Sequence, residues 1–80
     1  MTKKQKQEIA EFVLMGKELN PQAREVELIM HFVAQENYKC AFNDMVDIFG
    51  LVREMQKTTK LKKTTRKVGN QTYTFVEIDD

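Results

Sequence analysis

Eighty residues, 41% apolar and 31% charged, make one small globular domain that buries little over ~60% of its unfolded surface, so no catalytic cleft is expected unless a partner supplies half of it. No apolar run approaches the ~20 residues a membrane-crossing helix needs, and Gln7, Glu8 and Glu11 interrupt what would be a leader's apolar segment, so a cytoplasmic protein is expected. The net charge of +1 conceals a segregation: residues 1–56 hold seven bases and nine acids, 57–67 six bases and no acid, and 68–80 three acids and no base.

In chain order, residues 2–15 read as a first helix, with Ile9, Phe12, Val13 and Leu14 on one stripe and Gly16 placed to stop it. Lys3, Lys4 and Lys6 oppose the helix dipole, which predicts a frayed first turn. Asn20-Pro21 supplies an N-cap and a first-turn proline for a second helix reaching Gln35 or Glu36. Its wide apolar surface (Val26, Leu28, Ile29, Met30, Phe32, Val33) marks it as the expected core element.

Residues 37–41 form a short connection, and Asn43 is placed to cap the next helix, with Asp44 and Asp47 in its first turn. Gly50 leaves two readings. It ends a short helix at Phe49, with another over 52–59, or it is tolerated inside one helix over 44–57. The apolar rhythm of Ile48, Leu51, Val52 and Met55 continues across it, and an internal glycine costs only about 1 kcal/mol. The break is the favoured reading.

Beyond this point β propensity rises, and Gly69-Asn70 separates two strand-like runs as a two-residue hairpin loop. The implied register pairs Val68 with Gln71, Arg66 with Tyr73, Thr64 with Phe75 and Leu61 with Ile78. Leu61, Val76 and Ile78 are expected to anchor the open end to the helices while Lys62, Lys63, Arg66 and Lys67 project toward the tip. Glu77, Asp79 and Asp80 bound the positive field.

The chemistry-bearing residues are few. One cysteine, Cys40, makes no internal disulfide, and one histidine, His31, builds no metal cluster. A Cys–His pair would need a base, an orienting group and a pocket. No phosphate loop, metal spacing or nucleophile motif is present, so neither an enzyme nor a cofactor is expected.

The expected fold is therefore α+β: three to four helices and a C-terminal β-hairpin, divided as 1–19 (N-terminal helix), 20–60 (helical core) and 61–78 (hairpin). The run Met45-Val46-Asp47-Ile48-Phe49-Gly50-Leu51 and the basic hairpin resemble a winged helix-turn-helix DNA-binding domain over residues 20–78. The resemblance implies a recognition helix after Gly50, the hairpin as wing, and transcription regulation. Candidate phosphate contacts are Lys57, Lys60, Lys62, Lys63, Arg66 and Lys67. Arg53 and Gln56 are candidate base readers, since arginine suits guanine and glutamine adenine. The expected partner is duplex DNA. RNA stays open because Tyr73 and Phe75 share one strand face, as does a homodimer. A lysine-rich edge that only resists aggregation is the competing explanation of the basic run. The alternative function is a protein-interaction module or inhibitor, of phage-encoded or regulatory type, with the basic hairpin on an acidic partner.

Overall fold

Thr2 closes a capping box at the start of the chain: Gln5 N–H donates to Thr2 Oγ1 at 3.1 Å and Thr2 N–H donates to Gln5 Oε1 at 2.9 Å. From there α1 runs over Lys3–Leu19, followed by α2 (Glu25–Glu36), α3 (Phe42–Thr58), β1 (Lys60–Val68) and β2 (Gln71–Asp79). The computed structural model describes residues 1–79; Asp80, one of the acids expected to bound the basic field, lies outside them. Three helices and a two-stranded antiparallel hairpin make a small α+β domain.

Several expected boundaries move, each for a local reason. Helix α1 continues through Gly16 to Leu19. At Gly16 a Cβ would lie 3.0 Å from a Leu28 methyl, so this glycine serves the close approach of α2 rather than a stop. Asn20 and Pro21 form a turn, not a helix start: Asn20 Oδ1 accepts the Gln22 N–H at 3.2 Å and its carbonyl accepts the Ala23 N–H at 2.9 Å. Helix α2 therefore begins at Glu25 behind Arg24. It ends at Asn37, which takes the left-handed conformation (φ 56°) that asparagine tolerates. Helix α3 begins at Phe42 rather than after Asn43, and the Ala41 N–H donates to Asp44 Oδ2 at 2.9 Å. That hydrogen bond is the chief reason the Asp44 carboxyl titrates below the ordinary aspartate range.

Gly50 does not break the helix. Helix α3 is continuous from Phe42 to Thr58, and the run from Met45 to Leu51 lies inside it. A Cβ at Gly50 would meet nothing within 4 Å. Gly50→Ala is therefore expected to stabilise the fold by about 0.4–1 kcal/mol, raising Tm by about 2–8 °C for a domain of this size. Thermal unfolding followed by circular dichroism checks this. A lowered Tm would mean that the backbone at Gly50 is not helical.

The centre of the fold is α1, not α2. Eight side chains form the buried core: Ile9, Ala10, Val13 and Leu14 from α1, Ile29 and Val33 from α2, Ile48 and Val52 from α3. Helix α1 packs against both other helices and touches β2. Val26 and Met30, expected on the core face of α2, are 49% and 52% exposed. The first turn of α1 is tied down: Lys6 bridges to Asp47 and lies 3.6 Å from Asp44. The hydrogen bond to Asp47 is the main cause of the raised Lys6 pKa. The lysines expected to fray this turn thus include one that pins it to α3.

The hairpin keeps the expected register, Leu61 with Ile78, Thr64 with Phe75, Arg66 with Tyr73 and Val68 with Gln71. Gly69 takes a φ of +62° while Asn70 does not enter the positive range, the pattern of a type II′ loop. Leu61 packs against the core, and Val76 and Ile78 beside it are half-buried. The residues toward the loop, 65–75, are exposed, and the chain measures 44 × 27 × 23 Å.

Candidate nucleic-acid interface

Successive side chains of a strand point to opposite faces, so the pleat divides the basic run. Lys60, Lys62 and Arg66 share the face of Tyr73 and Phe75, whereas Lys63 and Lys67 share the face of Leu61, Val76 and Ile78. That second face meets the helices at its base. There Lys63 Nζ lies 3.8 Å from Glu18 of α1, with both side chains about half exposed. The five hairpin bases thus form two groups on opposite faces rather than one patch, and Lys57 lies on α3.

The other candidates lie on α3. Arg53 and Lys57 are exposed and one helical turn apart, at the end that leads into the hairpin. Gln56 is turned elsewhere: it lines a groove with Leu14, Lys17, Glu18, Thr59 and Leu61, where α1 meets the hairpin base. It does not share the surface of Arg53 and Lys57. Among the described residues, Arg53, Lys57, Lys60, Lys62, Arg66 and Lys67 make no ion pair. Glu77 stands opposite Lys62 and Asp79 opposite Lys60, so the charge is more positive toward the tip.

On the outer face, Tyr73 and Phe75 are 44% and 47% exposed. Their ring centroids are 6.4 Å apart with planes inclined by 32°. Lys62, Thr64, Arg66, Phe75 and Glu77 line a shallow groove of about 390 Å³. Cations and aromatic rings on one solvent-facing surface can hold phosphates and offer π-faces to bases.

Another feature was not anticipated. A continuous α3 brings Phe42, Val46, Gly50, Arg53 and Lys57 to one side of the helix, and Phe42 is 80% exposed. Its first half is apolar and its last turn basic. The i, i+4 spacing of Phe42, Val46 and Gly50 would have shown this stripe had the helix been drawn through Gly50.

The remaining reactive groups have structural surroundings. Phe12, at the middle of an aromatic row, stacks on His31 at 6.2 Å and meets Phe32 at 5.1 Å; Phe32 meets Tyr38. Burial, more than the nearby Asp44, pushes the Cys40 thiol up, which is the reverse of an activated thiolate. Among the described residues no group of three His, Cys, Asp or Glu side chains is placed to hold a metal ion. No helix among them is long and apolar enough to cross a membrane. A scan against protein-family models and searches of curated proteins and solved structures find no match to this chain.

Proposed function

We propose that this chain is a small nucleic-acid-binding regulatory protein that grips duplex DNA with its hairpin as a wing and the C-terminal half of α3 beside it. The observation that carries the reading is the set of six basic side chains, Arg53, Lys57, Lys60, Lys62, Arg66 and Lys67, without an ion-pair partner among the described residues. Neutralising phosphates with such groups releases condensed counterions, which supplies most of the affinity of a sequence-tolerant binder.

In this reading the winged-helix correspondence shifts along the chain. The connection of residues 37–41 takes the role of the turn, all of α3 that of the recognition helix, and the hairpin follows it as the wing. Arg53 is then the base reader on α3, Lys57 holds backbone, and Gln56 contributes to the junction with α1. A cytoplasmic regulator accords with a single half-buried cysteine.

A second reading has its own observation. Val26, Met30, Phe42 and Val46 are each about half exposed or more, and exposed apolar side chains on α2 and α3 suit a protein-interaction module. Amide chemical shifts, recorded while a DNA duplex is added, separate the two. The DNA reading expects shifts in β1, at the loop and at Arg53 and Lys57. Unchanged spectra, or shifts confined to the apolar sides of α2 and α3, would overturn it.

A further inference from the structure

We propose that Tyr73 and Phe75 form a stacking platform for unpaired bases of single-stranded DNA, which makes the outer face of the hairpin a single-strand site. The inference rests on the reading that the hairpin cations hold phosphates, and it adds what the bases do.

Four observations lead there. First, both rings lie on the solvent side of the hairpin, close to half exposed, while the opposite side supplies the core contact through Leu61. Their burial does not explain their presence. Second, the rings are tilted neighbours, 6.4 Å apart at 32°, and keep 44% and 47% of their surface exposed, and every nucleobase has a π-face to lay on a ring. Third, Arg66 stands directly across the strands from Tyr73, and Lys62 shares the face two positions beyond Thr64. A strand whose bases lie on the rings thus has cations beside its phosphates, and the Arg66 guanidinium can itself stack. Fourth, the partner of Phe75 across the strands is the small Thr64, and the groove of about 390 Å³ opens there. In a duplex the π-faces of the bases are covered by their neighbours, so the rings gain nothing from intact DNA. A separated strand offers those faces at the least unstacking cost.

The test uses the full chain and a labelled oligodeoxythymidylate of about 12 nucleotides, within the ~4–16 nucleotide span of single-strand folds. It is compared by fluorescence anisotropy with a duplex of the same length. Tyr73→Leu and Phe75→Leu keep an apolar strand-compatible side chain and remove the ring. Each is expected to weaken single-strand binding by about 5- to 150-fold, the range of one lost base–aromatic stack, and to leave duplex binding within about twofold. Phe75→Trp, which keeps a ring, is expected to bind the single strand as well as the unaltered chain, and thermal melting verifies that every variant folds. Leucine variants that bind the single strand undiminished would overturn the platform while leaving duplex binding, and the broader reading, intact. Absence of binding to either form would overturn both. An oligouridylate bound about tenfold tighter than the deoxy strand would overturn the assignment to DNA in favour of RNA.

Discussion

Ile9→Ala is expected to leave most molecules unfolded at 25 °C. Ile9 is 0% exposed, as are Ile29 on α2 and Ile48 on α3, so each helix sends one isoleucine into the shared core. Removing three carbons from such a site costs about 2–5 kcal/mol, since the transfer energy is lost and the cavity collapses only partly. A chain of this length rarely has more than ~3–5 kcal/mol of total stability from a single core. The choice of Ile9 follows from its helix: α1 packs against both of the others, so a cavity there loosens both interfaces. Urea unfolding monitored by circular dichroism gives the answer. Val26→Ala is the control, because Val26 is 49% exposed and substitutions at such positions usually stay within ~0.5 kcal/mol. An unchanged midpoint for Ile9→Ala would contradict the central position of α1.

Neutralising the hairpin cations that make no ion pair among the described residues is expected to have the largest effect on binding. A variant combining Lys60→Gln, Lys62→Gln, Arg66→Gln and Lys67→Gln keeps long polar side chains at exposed strand positions and removes up to four phosphate contacts. Counterion release then predicts a loss of at least ~10²-fold in duplex affinity at low salt, nearly independent of sequence. Lys63→Gln alone should change affinity by only about twofold, because Lys63 already faces Glu18 at 3.8 Å on the helix side and an exposed pair of this kind contributes little. Equal losses from Lys62→Gln and Lys63→Gln would mean that the pleat does not divide the cations as described.

The hairpin was the most legible part of the sequence. A two-residue Gly-Asn loop between β-favouring runs fixes the register, and the register fixes which side chains share a face. The half-buried base at Leu61, Val76 and Ile78 followed from the same alternation. The helix boundaries were less legible because several residues have two uses. Asn20 reads as an N-cap, yet the same side chain closes a turn on the Gln22 N–H. Gly16 reads as a stop, yet here it admits Leu28. Gly50 reads as a break, and its cost in a helix is too small to enforce one.

Position in the fold was the harder property. An amphipathic helix shows its apolar stripe in sequence, but which helix lies between the other two depends on tertiary packing. The wide surface of α2 gave the wrong centre because Val26 and Met30 are left outside. The same limit applied to the candidate interface. Six bases are neighbours in the chain, whereas the fold leaves Lys57 on α3, sorts the other five by strand face and turns Gln56 into the α1 junction.

The salt dependence of duplex binding by the unaltered chain tests the proposed use of these cations most directly. Six basic side chains have no ion-pair partner among the described residues. If about four to six of them neutralise phosphates, the logarithm of the association constant falls linearly against log salt with a slope of about −3.6 to −5.4. The four-site glutamine variant should flatten that slope by up to about 3.6. A slope near zero, or the same slope in both proteins, would contradict a hairpin that binds through its charges.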